Sequence, residues 1–276
     1  MSATRVGRRG LERLGDQLSQ RDKLIIHQVA DLRLMTARQI EAVHFTLADH
    51  ATKLTAARSA RRVLERLVRD RLLCRLERRV GGVRAGSASY VYCLGPVGQR
   101  LLMDRSVDEP RRRFREFSQA VSLHTLAITE SVVTLIVASR AHQFDLLELE
   151  PEPRCWRDSV GPMGVVATLR PDLFTTIGIG EFEHRWFIEV DLGTESMSTL
   201  LRKCAAYETY YQSGTEQNQH GVFPRVLWQM HTAERAARLR VAIEHSTNLT
   251  TALFTTATVE DWITVVGGGS PVGGGQ

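Results

Sequence analysis

The sequence predicts an α+β chain of two modules: a basic, largely helical module closed by a β-hairpin, followed by an acidic, mixed α/β module. Three observations carry this. The charge is divided: residues 1–115 hold 25 Lys and Arg against 12 Asp and Glu, and residues 116–276 hold 11 against 19. A balance of +13 is thus followed by one of −8 within a net charge of +5. Apolar residues recur at helical spacing up to residue 71, and short alternating runs dominate after residue 144. A charged segment at 108–113, containing Pro110, separates the two patterns, so the expected modules are residues 1–110 and 111–262, with a flexible tail over 263–276.

In the first module Ser19 caps a helix, with Asp22 three residues on and Leu24, Ile25, Val29 and Leu32 at helical spacing. Thr36 caps a shorter one through Ala37, Ile40, Val43 and Phe45. A third spans residues 52–71, with Leu54, Ala57, Val63, Leu64, Leu67 and Val68 as its inner stripe. Strands at 72–76 and 88–93 then flank a basic, glycine-rich loop, and Pro96 and Gly98 lead into a short helix ending near Met103.

Three helices and a hairpin in this order make a winged helix-turn-helix. Its third helix would lie in the major groove of double-stranded DNA, and its loop would reach phosphates or the minor groove. That assigns Lys53, Arg58, Arg61, Arg62 and Arg66 on the helix, and Arg78, Arg79 and Arg84 on the loop, to DNA binding. The same fold also serves protein contacts, and arginines also solvate an ordinary surface. Their concentration on the groove-facing element favours nucleic acid. Helix-turn-helix readers often bind paired half-sites, so a homodimer is a further expectation.

Several classes find no support. No apolar run approaches the ~20 residues needed to span a bilayer, and the opening MSATRVGRRGLERL has no apolar core of a signal peptide, which points to a cytoplasmic protein without a membrane partner. Cys74, Cys93, Cys155 and Cys204 show no C-x-x-C spacing and no adjacent histidine, so zinc is not expected; Cys74 and Cys93 face each other across the hairpin as thiols. Walker A, G-x-G-x-x-G and G-x-S-x-G strings are absent.

In the second module a helix over residues 114–139 precedes strands at 144–149, 171–177 and 186–191, a helix at 195–211, a strand at 223–230, a helix at 233–245 and a last strand at 251–256. Folding the second and third strands about Gly180-Glu181 sets Asp172 opposite Glu189, and alternation puts Asp191 on the same face as Glu189. Like charges so placed destabilise a sheet unless a cation joins them. Asp172, Glu189 and Asp191 are therefore expected to hold Mg²⁺ or Mn²⁺ through hard oxygen ligands, with the Val190 carbonyl. Lys203 follows on a helix whose polar stripe also carries Ser196, Thr199, Tyr207 and Tyr210.

This order is the core order of the PD-(D/E)xK nuclease superfamily. The strings Arg170-Pro171-Asp172, Phe187-Ile188-Glu189-Val190-Asp191-Leu192-Gly193-Thr194-Glu195-Ser196, Arg202-Lys203 and Tyr207 resemble the replication-relaxation family of actinobacterial plasmids and conjugative elements. The segment Tyr90-Val91-Tyr92-Cys93-Leu94-Gly95 is similar to the family's N-terminal part, and the likeness runs from about residue 19 to 256. It implies a role in plasmid replication, relaxation or conjugation, with Asp172, Glu189, Asp191 and Lys203 as catalytic residues of a metal-dependent DNA endonuclease or nickase. Glu130 would correspond to an outer acid. The superfamily's lysine two places after the acid is replaced here by Asp191, leaving Lys203 as the candidate cation. That departure keeps a second reading open, a non-catalytic DNA-binding initiator or regulator. A third is an adaptor joining DNA to replication or conjugation proteins.

Overall fold

A computed structural model describes residues 7–76, 89–103, 119–160, 164 and 166–269. The chain divides into two compact units, residues 1–133 and 134–276. The division falls inside one long helix. The loop residues Arg78, Arg79 and Arg84 and the charged segment at 108–113 lie outside the described residues.

The first unit starts with a helix that apolar spacing did not disclose, α1 (Arg8–Gln17), then α2 (Gln20–Leu32), β1 (Met35–Thr36), α3 (Ala37–His44), α4 (Lys53–Arg69), β2 (Leu73–Leu76), β3 (Val91–Leu94) and α5 (Pro96–Met103). Ser19 and Asp22 form a reciprocal cap on α2, as do Thr36 and Gln39 on α3 and Thr52 and Thr55 on α4. Each cap satisfies backbone N–H groups that the first turn leaves without partners. The strands form an antiparallel sheet in the order β1-β3-β2, with Cys74 opposite Cys93 and both thiols free. Ile25, Ile26, Val29, Leu34, Met35, Ile40, Leu64 and Leu67 fill the core.

The inner face of α4 differs from expectation. Ala56, Ala60, Leu64 and Leu67 are its buried residues, and Leu54 is 70% exposed. Steps of four, four and three keep the observed stripe on one line of a 3.6-residue helix, and Leu54 falls off that line. Gly98 is required by packing: a Cβ there would stand 2.2 Å from the Leu72 carbonyl oxygen.

Helix α6 (Gln119–Arg140) crosses the division between units. Contrary to the sequence expectation, residues 121–140 are long and apolar enough to cross a bilayer by length and composition, with mean hydropathy 1.7 in the most apolar window. Half of that window is buried within the protein. The Thr129 hydroxyl also donates to the carbonyl of Leu34, 2.9 Å away in the first unit. Those are properties of a core helix.

The second unit continues with β4 (Asp145–Pro151), β5 (Arg157–Val160), β6 (Val166–Leu169), β7 (Leu173–Ile179), β8 (Phe182–Asp191), α7 (Met197–Gln212), α8 (Thr215–His220), β9 (Arg225–Met230), α9 (Ala233–Glu244), β10 (Phe254–Thr258) and α10 (Trp262–Val266). Five strands make a mixed sheet in the order β10-β9-β8-β7-β4. The β8–β9 and β9–β10 pairs are parallel and connected through helices; β7 is antiparallel to both β8 and β4. The turn between β7 and β8 uses Gly180 at φ +60°, and the register pairs Leu173 with Ile188. One face of the sheet packs Phe174, Phe187 and Trp228 against Leu200, Cys204, Tyr207, Leu239 and Ile243 of α7 and α9.

Three elements add to the expected order. The β5–β6 hairpin and the polar α8 carry too little periodicity to be read. Helix α10 reaches into the expected tail, with Trp262 and Val266 fully buried, so packing extends beyond residue 262; residues 270–276 lie outside the described set.

Candidate functional site

The β7–β8 register is the one the sequence implied. Asp172 immediately precedes β7 and stands opposite Glu189, one step past the Leu173–Ile188 pair. Both are buried, at 7% and 2% exposure. Asp172 Oδ2 accepts the N–H of Val190 at 2.8 Å. A side chain thus supplies an acceptor where the ladder ends, which fixes the carboxylate against β8. Glu189 Oε1 accepts the Tyr207 hydroxyl at 2.6 Å, and Oε2 accepts Lys203 Nζ at 3.3 Å. Tyr207 and Lys203 stand four residues apart on α7 and therefore share a face. The Ser196 side chain caps that helix. Lys203 also reaches Glu195 Oε2 at 3.1 Å and lies 6.0 Å above the Trp228 ring.

Asp191 does not join this group. Arg235, from the first turn of α9, grips both its oxygens through Nε and Nη2, and the same guanidinium donates to the carbonyl of Glu195. Asp191 is 4% exposed, so the bidentate ion pair is what balances its charge in a poorly solvated place. Among the described residues no group of three or more His, Cys, Asp or Glu could hold a metal ion. The expected triad is thus corrected to a pair, Asp172 and Glu189, with Lys203 beside it; Asp191 belongs to the ion pair. Glu130 lies in the first unit, where Gln39 Nε2 donates to it at 2.7 Å.

Electrostatics single out Glu189. Burial, and then the neighbouring Asp172, push its carboxyl up to about 8, against the opposing pull of Lys203 and Tyr207. Burial works against the Lys203 ammonium too, but Glu189, Asp172 and Glu195 together raise it. The Tyr207 hydroxyl is raised by burial and then by Glu189, which keeps it a donor. Cys155, buried beside the pair, is raised by burial and then by Asp172, so it stays a thiol. Two hard carboxylates that repel each other in a buried place are a donor set that suits Mg²⁺ or Mn²⁺. By donor chemistry the pair suits such an ion, with both Glu189 oxygens also accepting from Tyr207 and Lys203, while Asp191 is held by Arg235.

Of the residues assigned to DNA, Lys53, Arg58, Arg61 and Arg62 are exposed along α4. Arg66 is engaged: Nη2 donates to the buried Asp22 at 2.7 Å, tying α4 to the capped start of α2. Sequence reasoning missed Arg235 and Glu195, the partners of Asp191 and Lys203. An acid at the place of the superfamily's lysine was the one signal, since a buried Asp implies a cation from elsewhere.

No curated protein and no solved structure matches the chain. The replication-relaxation family matches residues 26–226, which covers most of both units, including β2, β3, Asp172, Glu189 and α7. On that match the chain belongs to the replication-relaxation family.

Proposed function

We propose that this chain is a DNA-processing protein acting in replication or relaxation. Its first unit, read as a winged helix, holds double-stranded DNA. Its second unit, read as a PD-(D/E)xK-like domain, breaks a phosphodiester bond. The observation that carries the reading is the buried pair of Asp172 and Glu189, opposed across β7 and β8, with Lys203 at 3.3 Å from Glu189.

Asp172 and Glu189 would hold Mg²⁺ or Mn²⁺, which when bound supplies Lewis-acid stabilisation of the phosphate and a more acidic water. Tyr207 fixes the Glu189 carboxylate from one side. Lys203, protonated throughout the neutral range, balances negative charge that builds on a phosphate in the transition state. Exposed Lys53, Arg58, Arg61 and Arg62 contribute phosphate contacts and salt-dependent affinity. Plasmid DNA in the cytoplasm, replication or conjugation proteins, and a second copy bound to a paired half-site complete the picture.

A second reading is favoured by the Asp191–Arg235 ion pair, which withdraws a third carboxylate from the site. It makes the protein a non-catalytic initiator, regulator or adaptor on a nuclease-like scaffold. A supercoiled-plasmid nicking assay in Mg²⁺ or Mn²⁺ separates the two. Cutting is expected, and Asp172→Ala or Glu189→Ala should abolish it while leaving DNA binding intact. Cutting that persists in both variants removes the site; wild-type protein that binds but never cuts leaves the second reading.

A further inference from the structure

We propose that Trp156 and Arg170 form a platform for an unpaired DNA strand beside the Asp172–Glu189 pair. The inference rests on the reading of that pair as the cleavage centre and names the form of its substrate. The chain has four tryptophans; Trp186, Trp228 and Trp262 are each 1% exposed, and Trp156 is 36% exposed. A large aromatic ring left partly in water forgoes much of the free energy its burial would supply. The Arg170 guanidinium lies 5.0 Å from its ring centroid, a cation–π pair.

The pair is built onto the site. Arg170 stands two residues before Asp172. The loop that carries Trp156 is fastened to the same segment: the Glu152 N–H donates to the Asp172 carbonyl at 3.1 Å, and the buried Cys155 thiol donates to the Pro171 carbonyl at 2.9 Å. Within the loop, the N–H groups of Arg154 and Trp156 donate to the carbonyls of Pro151 and Pro153. Trp156 is therefore held by backbone bonds at a fixed offset from Asp172.

A guanidinium lying over an aromatic ring is a layered stack that one nucleotide can extend. A base stacks on the layer, as bases do on rings and on guanidinium planes, and the exposed guanidinium N–H groups take a phosphate. Bases inside a duplex are already stacked, so only an unpaired strand can use the ring. Arg170 stands in the acidic half of the chain, residues 116–276 with a balance of −8, where a general attraction for DNA is lacking and a local contact is needed.

The test uses the full-length protein with oligo(dT) in EDTA, so that cleavage cannot intervene. Binding should quench the emission of Trp156, the one tryptophan in reach of solvent. By anisotropy of a labelled oligo(dT), Trp156→Ala should weaken binding about tenfold, and Trp156→Phe, which keeps a ring, should retain most of it. Arg170→Ala should weaken binding and lower the salt slope by about one. Duplex affinity and thermal melting should be unchanged in Trp156→Ala. An unquenched tryptophan at saturating oligo(dT), or wild-type affinity in Trp156→Ala, overturns the proposal. Plasmid cutting that fails while quenching holds removes the nuclease reading and leaves the platform; cutting without quenching removes the platform alone.

Discussion

Replacing Glu189 by Gln should change how stability depends on pH. The folded carboxyl titrates at about 8, against 4.5 for an ordinary glutamate. A carboxyl raised on folding contributes stability that is fully present below its unfolded pKa and is lost as pH rises through the folded one. Wild-type protein should therefore lose stability from about pH 4.5 up to about 8, as Glu189 is forced to ionise opposite Asp172. At ~1.36 kcal/mol per unit, the full shift sets a ceiling of roughly 5 kcal/mol. Relaxation around an ionised pair that Lys203 partly neutralises should bring the measured change to roughly 1–3 kcal/mol. Gln cannot ionise, so its stability should lack this fall, whatever fixed cost its poorer bond to Lys203 adds.

All four tryptophans lie in the second unit, so their emission during denaturant unfolding reports that unit alone. Curves taken in EDTA from pH 5 to 9 should converge or cross as pH rises, with Glu189→Gln gaining on wild type. Mg²⁺ or Mn²⁺ should restore the wild type above pH 8 and leave Glu189→Gln unchanged, because only the ionised pair attracts the ion. Parallel curves for the two proteins would refute the raised carboxyl. A pH-dependent gap that no divalent ion closes would keep the electrostatics and remove the metal.

Arg235→Ala should cost about 3 kcal/mol in the same unfolding assay, since it strands a buried Asp191; Asp191→Asn in that background should recover part of the loss. Gly98→Ala should destabilise the first unit by about 2 kcal/mol or more, read by helical circular dichroism, because its Cβ would meet a backbone oxygen at 2.2 Å. Arg61→Ala with Arg62→Ala should reduce duplex affinity and flatten its salt dependence without altering stability, as both are exposed. Arg66→Ala should instead lower stability by about 1–3 kcal/mol, because Asp22 is left with only the Ser19 donors.

Elements with local signals were legible. Ser19 and Thr36 announced helix starts because a cap acts within three residues, and the structure has a reciprocal cap at each; the cap at Thr52 is seen only in the structure. The β7–β8 register could be read because a glycine turn and two-residue alternation fix which residues oppose each other. Partners contributed by other elements were not legible. The pairing of Asp191 with Arg235 spans 44 residues and depends on how α9 packs on the sheet. Arg66 looked like its exposed neighbours on α4, and only the position of α2 shows it bound to Asp22. Periodicity locates a face, but it does not say which charges on that face find partners.

The exchange at position 191 follows from the same packing. Strand β8 presents Glu189 and Asp191 on one face, both buried, so each needs its own compensation. A lysine at 191 would lie next to Glu189 along the strand and could neutralise it directly. With an aspartate there, Arg235 of α9 is committed to 191, and the cation for Glu189 must come from α7. Helix α7 supplies it as Lys203, with Tyr207 one turn further on holding the other oxygen. Glu195, at the start of that helix, ties the two arrangements together: its carboxylate meets Lys203 and its carbonyl meets Arg235. The Asp172–Glu189 pair is thereby made to depend on the docking of both helices. A change at Arg235 should accordingly reach Glu189 through Glu195 and Lys203, shifting the midpoint of the pH-dependent stability that Glu189 produces. An unshifted midpoint in folded Arg235→Lys would show that α7 holds its place without α9, and that the two ion pairs act independently.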